Sequence, residues 1–383
     1  MPSLSRADTS VLGRWWWTVD RWTLLALGTL IFFGYVMMLA ASPAVAERIH
    51  EARELLIIKQ VVFLAAAALI IVMVSLLSPQ GVRRVAMAGC VVALVLTAMT
   101  LVMGTQIKGG QRWIHLPGMS MQPSEFLKPC FAVTAAWLIS EGKRTKGFPG
   151  TWIAIGIYGV IAVLLKSQPD IGMLAVVTLI FIAQLFLGGL HMAIIGGLAG
   201  LAVVGGALAY QFDRHVADRV NKFWYPDKGE HYQIDRAMEA FGSGGLLGRG
   251  PGEGHVKDVL PDAHADFVFA VTGEEFGMVM CLVVLAVFAF VVLRGLIRLM
   301  DETDLFITLA AAGLVASFGT QALINMTSTL GLIPTKGMTL PFISYGGSSA
   351  IAVAFGMGLL LALTRRRPSP AALAGDMARG EAW

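Results

Sequence analysis

Asp266 stands at a seam in the chain. Before it runs a glycine-rich, mixed-charge stretch, GSGGLLGRGPGEGHVKDVLPDAHA from Gly242, and after it Phe267, Val268 and Phe269 open an apolar run. A carboxylate at such a boundary is partly desolvated, the setting that draws carboxylates toward general-base work. His264, two residues away, can orient it or compete with it. The same position also suits a cap or dipole partner for the following helix, a role Asp fills well. The glycines between Gly242 and Gly254 carry two readings as well. They make a flexible loop, or they let backbone N–H groups cradle an anion with Arg249 and Lys257 supplying charge. The G-K-[ST] ending of a nucleotide loop is missing, so the stretch does not read as a nucleotide site.

Further polar groups lie inside or beside apolar runs: Glu125, Lys128, Lys166, Asp170, Glu274 and Glu275. Ionisable groups in a bilayer cost about 3 kcal/mol each on insertion scales, so they pair or they work. For Lys128, Asp170 and Glu275 both options are open. Cys90, Cys130 and Cys281 sit in apolar runs without the spacing of metal sites or disulfide frameworks, and read as packing residues.

The elements that must hold these groups are membrane helices. The chain has 383 residues, 56% hydrophobic and only 14% charged, against about 25% charged in soluble domains. Its formal net charge of +4 is no nucleic-acid signature. Apolar runs of about 20 residues recur, long enough to cross a hydrocarbon core of about 30 Å as helix. The short alternating segments of a transmembrane barrel are absent. The expected fold is therefore an all-α, polytopic integral membrane protein. Ten spans can be drawn, at 22–42, 57–77, 85–104, 122–140, 151–167, 170–187, 191–211, 268–293, 303–325 and 346–364.

These divide the chain into an N-terminal segment 1–21, one transmembrane domain 22–367 with a large loop at 212–267, and a polar tail 368–383 that reads as disordered. Arg6, Arg14, Arg21, Arg83, Arg84, Lys143, Arg144, Lys146, Arg294, Arg298, Arg365–Arg367 and Arg379 gather on one side, which places both termini in the cytoplasm. Ser42-Pro43-Ala44-Val45-Ala46 resembles a signal-peptidase site, but the apolar run before it is too long and nine more spans follow, so the first span reads as a retained anchor. Gly196-x-x-x-Gly200 fits close helix packing.

Polar segments cluster on the opposite, extracytoplasmic side: Lys108–Glu125, Lys166–Asp170, the 212–267 loop and Asn325–Ser349. Transporters bind cargo near the midplane. A lipid-processing enzyme needs its polar site at one leaflet surface, and this distribution favours the enzyme.

Four segments carry a resemblance. They are Gly110-Gln111-Arg112-Trp113-Ile114 with Gln122-Pro123-Ser124-Glu125-Phe126-x-Lys128; Gln168-Pro169-Asp170-x-Gly172; Leu260-Pro261-x-Ala263-His264-x-Asp266-Phe267-x-Phe269-Ala270 with Glu274-Glu275-x-Gly277; and Asn325 through Thr335-Lys336-Gly337 to Ser344-Tyr345-Gly346-Gly347-Ser348-Ser349. In this order and spacing the set resembles the SEDS family of cell-wall polymerases, and Thr335-Lys336-Gly337 resembles its division branch rather than its elongation branch.

The resemblance implies ten helical spans in the bacterial inner membrane and a peptidoglycan glycosyltransferase that polymerises lipid II. It implies that Asp266 aligns with an essential extracytoplasmic aspartate. Its implied partners are a class B penicillin-binding transpeptidase (FtsI) and the FtsQ–FtsL–FtsB complex. On this reading Asp266 is the general base, and Lys336, Arg249, Lys257, Arg112, His264 and Ser344 serve substrate and pyrophosphate. Glu125, Lys128, Asp170, Glu275 and Asn325 form a supporting polar network. A divalent cation, Mg or Mn, could share the pyrophosphate's charge, although no ligand cluster specifies one. The rival expectations are a lipid II flippase and a non-catalytic division scaffold.

Overall fold

The computed structural model describes residues 10–49, 53–107, 110–116, 119–190, 192–212, 217, 221, 232–334 and 337–366. A short helix α1 (Val11–Thr18) precedes the bundle, and each apolar stretch read from the sequence then carries a helix. These are α2 (Arg21–Ile49), α3 (Arg53–Ser75), α4 (Pro79–Met103), α5 (Pro123–Arg144), α6 (Gly150–Ser167), α7 (Ile171–Leu187) and α8 (Met192–Phe212). After the long loop come α11 (Val268–Leu299), α12 (Leu305–Thr329) and α13 (Gly347–Leu363), while the loop itself holds α9 (Tyr232–Gly244) and α10 (Val256–Val259). Among the described residues six helices are long and apolar enough to cross a membrane. The chain is a multi-pass integral membrane protein.

Local chemistry sets several helix starts. Ser78 accepts from Gly81 N with Pro79 at the first helical position of α4. Asp304 accepts from the N–H groups of Phe306 and Ile307 to open α12. Asp170 accepts from Met173 N to open α7.

α12 is the pillar of the bundle: 67% of its apolar window is buried, against 22% for α3 and α6, whose outer faces are left for lipid. Between membrane helices the drive is close packing and hydrogen bonding rather than expulsion of water. Gln184 on α7 supplies such a tie, donating to Ala132 O (2.7 Å) on α5 and Leu309 O (3.0 Å) on α12. Cys90, Cys130 and Cys281 are buried and unbridged. At one end of the bundle Trp15 Nε1 donates to Ser75 Oγ (2.8 Å). At that same end Arg366 N donates to Thr18 O (3.0 Å), and Arg365 Nε to Thr18 Oγ1 (3.0 Å). The start of α2 and the end of α13 therefore share one face.

Two features depart from a plain bundle. The polar segment after α4 is not irregular throughout. It forms a small antiparallel meander of β1 (Thr105–Ile107), β2 (Gly110–Leu116) and β3 (Met119–Met121), with Gln106 opposite Gln111 and His115 opposite Ser120. In addition, α11 is broken at Gly277 (φ 78°, ψ 177°). The 245–250 segment is stitched into that break. Arg249 N and Gly250 N donate to the carbonyls of Glu274 and Glu275, while Met278 N and Val279 N donate to Gly245 O and Leu246 O. The carbonyls of Glu274 and Glu275 and the N–H groups of Met278 and Val279, next to the break, thus find partners, as a lipid-embedded helix requires. Side chains at Gly277 or Gly248 would strike the backbone of the opposing segment, and both glycines lie in the left-handed region.

Candidate active site

Asp266 sits one residue before the N-cap of α11, which is Phe267, and no side chain caps that helix start. Asp266 is therefore not itself the N-cap residue. Its backbone is held from two directions. Asp266 N donates to Asp262 O (3.1 Å) within a tight turn that Asp262 enters at φ 53°. Its carbonyl accepts from Asn325 Nδ2 (2.9 Å) on α12. Asn325 is fully buried and also donates to Met338 O (2.6 Å), so one amide locks the Asp266 turn to the loop before α13. Thr329 donates to Asn325 O (2.8 Å) one turn on.

With its backbone pinned, the half-buried Asp266 faces a cavity of about 490 Å³. Arg112 and Trp113 from β2, Gln122 and Glu125 from the start of α5, and Asp262 from the Asp266 turn line it too. Gly337, Thr339, Tyr345 and Ser349 close it from the loop before α13 and from the first turn of α13. Gly337 (φ 59°) backs directly onto the Asp266 carboxylate: a methyl group there would come within 3.3 Å of Oδ2. Segments more than 200 residues apart in sequence therefore share one cavity wall.

The floor is a closed polar network. Lys128 Nζ pairs with Glu125 Oε2 (2.7 Å) and donates to Gln321 Oε1 (2.5 Å). Gln321 in turn donates to Thr339 O (3.1 Å), and Ser349 donates to Glu125 Oε2 (3.3 Å). A separate space of about 20 Å³ adjoins Glu125, Lys128 and Gln321, room for roughly one water molecule. On one flank Arg112 Nη1 reaches Asp170 Oδ2 (3.3 Å), which also accepts from Gln122 Nε2 (3.2 Å). Arg112 Nε is buried with no partner among the described residues.

The residues read from the sequence do not all converge here. Asp266, Arg112 and Glu125 line the cavity, Lys128 lies just below it, Asp170 beside it, and Asn325 behind Asp266. Lys257 and Arg249 are elsewhere, which corrects the expectation that they meet a substrate anion. Lys257 is buried, pairs with Glu275 Oε1 (2.5 Å) and donates to Ala40 O (3.0 Å) and Gly252 O (2.9 Å). Arg249 is exposed and donates to Ser243 O (3.3 Å).

The glycine-rich stretch does form an anion cradle, but the anion is internal: Glu274 accepts from His255 N (2.7 Å), Val256 N (2.8 Å) and Lys257 N (3.2 Å). Glu275 likewise accepts from Gly252 N (3.0 Å), so it belongs to this cradle and not to the cavity network. Ser344 is also a correction. It is buried, donates to Ala265 O (2.5 Å) and accepts from Leu340 N (2.7 Å), clipping the two cavity loops together rather than facing the cavity. His264 backs Tyr345, with ring centroids 5.3 Å apart and Tyr345 N donating to His264 O (2.8 Å). Lys336, together with Phe223, Trp224 and Tyr225 of the long loop, lies outside the described residues.

Sequence reasoning missed Asp262, Gln321 and Thr339. Trp113, Gln122 and Ser349 lay within the segments already singled out and needed only promotion. Asp262 fell on a position those patterns leave open, and Gln321 lies four residues before the segment that begins at Asn325. Among the described residues no group of three or more His, Cys, Asp or Glu is placed to hold a metal ion.

Comparison with known proteins adds a second line of observation. A family model described as "Cell cycle protein", covering FtsW, RodA and SpoVE, matches residues 21–368. A Caulobacter vibrioides protein named "Probable peptidoglycan glycosyltransferase FtsW" is 42% identical over 382 residues, covering 99% of this chain and 98% of that one. An Escherichia coli O6:H1 protein of the same name is 31% identical over 351 residues, covering 89% and 85%. Among solved structures, a chain described under "Structural coordination of polymerization and crosslinking by a peptidoglycan synthase complex" superposes with TM-score 0.76 at 25% identity, over 90% of this chain and 97% of that one. The Thermus thermophilus rod shape determining protein RodA gives TM-score 0.68 at 25% identity over 91% and 97%.

Proposed function

The chain belongs to the SEDS family of FtsW, RodA and SpoVE, and from that premise we propose that it is a division-type peptidoglycan glycosyltransferase with Asp266 as its general base. Its substrate on this reading is lipid II, a disaccharide-pentapeptide on undecaprenyl pyrophosphate. Asp266 takes the proton from the 4-hydroxyl of the acceptor's GlcNAc as that oxygen attacks the anomeric carbon of the donor's MurNAc. The bond to the pyrophosphate breaks, its electron pair leaves with undecaprenyl pyrophosphate, and the anomeric configuration inverts. Positioning and base catalysis share the work, with the base contributing about 10²–10⁴-fold.

The single observation that carries this reading is the position of Asp266: a carboxylate with a pinned backbone, half-exposed on the wall of a 490 Å³ cavity that family segments build together. The departing pyrophosphate needs positive charge. Arg112 is the cation among the described lining residues, which makes it a candidate for that charge. Lys336 precedes Gly337, which backs onto Asp266, and stays the first candidate for the same task. The cavity is assigned to the periplasmic side and both termini to the cytoplasm, with a class B transpeptidase (FtsI) and the FtsQ–FtsL–FtsB complex as partners.

The test is polymerisation of lipid II by purified protein reconstituted with its transpeptidase partner. Asp266→Asn is expected to insert and fold normally while losing about 10²–10⁴-fold in glycan formation. Glycan chains made at the normal rate would refute the assignment.

A further inference from the structure

A second cavity, of about 420 Å³, lies at the end of the bundle where the start of α2 and the end of α13 meet. Its lining is strongly cationic. Arg21, Arg294, Arg298 and Arg366 all face it, and Asp20 is its one carboxylate. Asp20 is buried and fully engaged: Arg294 grips it through two bonds (2.7 and 2.9 Å), and Arg298 Nε reaches it at 2.9 Å. Arg298 Nη1 donates to Thr364 O (2.8 Å). One aspartate thus fixes two guanidinium groups, and Arg21 and Arg366 add charge that it does not neutralise.

The walls have two characters. The Arg21 guanidinium stacks 4.6 Å over Trp17 and 5.4 Å from Trp16. Trp22 and Leu25, also lining the cavity, are 60% and 62% exposed on the outer face of α2, a span whose exposed side meets hydrocarbon. A ligand matched to this place carries an anion at one end and an acyl chain at the other.

We propose that this cavity binds the phosphate headgroup of an anionic phospholipid, with its tail lying along Trp22 and Leu25. Basic recesses between membrane helices recognise such headgroups, and each arginine near an anionic lipid surface is worth about fivefold in affinity. The site stands apart from the Asp266 cavity and does not depend on glycosyl transfer.

Titration of the purified full-length chain in zwitterionic detergent with phosphatidylglycerol, phosphatidylcholine or inorganic phosphate, counted by native mass spectrometry, tests it. One phosphatidylglycerol is expected to bind per chain in preference to phosphatidylcholine, with inorganic phosphate a poor competitor. The double variant Arg21→Gln/Arg366→Gln keeps the Asp20 pairs and is expected to lose about fivefold for each arginine removed. Arg83→Gln/Arg84→Gln, at the neighbouring start of α4, is expected to leave binding unchanged. Equal binding of phosphatidylcholine, full competition by inorganic phosphate, unchanged binding in the first variant, or an equal loss in the second would each overturn the proposal.

Discussion

The cradle around Glu274 and Glu275 and the cavity around Asp266 are built from the same materials. Each combines carboxylates and a cation near the start of α11. They differ in what the carboxylate faces. Glu274 is fully enclosed and accepts three backbone N–H bonds, and Glu275 is saturated by Lys257 and Gly252. Asp266 has its backbone fixed by Asn325 and lies half-buried on the wall of a cavity. Residue type and proximity to a helix end therefore do not tell these acids apart. Enclosure does, and the role proposed for Asp266 rests on that difference.

The sharpest way to break this contrast is to exchange the readouts. Asp266→Asn should cost about 10²–10⁴-fold in polymerisation with little change in thermal unfolding; a large fall in unfolding temperature would make Asp266 another enclosed acid. Lys257→Met should do the opposite. It leaves Glu275 buried without its cation, a loss of about 3–5 kcal/mol seen in thermal unfolding, while turnover per folded molecule is kept. Reduced turnover at unchanged stability would return Lys257 to the substrate.

Ser344→Ala is intermediate. It strips partners from Leu340 N and Ala265 O and should cost about 1–3 kcal/mol. Because Ala265 adjoins Asp266, turnover should fall modestly with substrate affinity little changed, as steady-state kinetics would show. The smallest effect concerns Asp20. Burial pushes its carboxyl up, but Arg294, Arg298 and Thr23 together hold it below its ordinary value of 3.8. A depressed folded value means stability that is present above the ordinary value and lost as pH falls through the folded one. Thermal unfolding across an acid series should therefore drop more for the native chain than for Asp20→Asn.

The helices were legible because apolar runs of membrane length leave few alternatives, and the place of Asp266 at a cavity wall was legible because polar loop gives way to hydrocarbon within one residue. The roles of Lys257 and Ser344 were not. Lys257 meets Glu275 only because Gly277 breaks α11 and admits the 245–250 segment. A φ of 78° leaves no mark on sequence beyond one glycine among many. Ser344 finds Ala265 across 79 residues, beyond the reach of any periodicity. The meander at 105–121 was hidden for a different reason. Strands of three to seven residues are set by the neighbour they pair with, and their own patterns are too brief to read.

The stitched break in α11 also bears on how genetic data for this protein should be interpreted. At Gly244, Gly248 and Gly277 even an alanine would collide with the opposing chain, so a survival screen would score these positions as essential beside Asp266. Measuring how much of each variant reaches the membrane would part them: the glycine variants should be scarce, and Asp266→Asn abundant but idle.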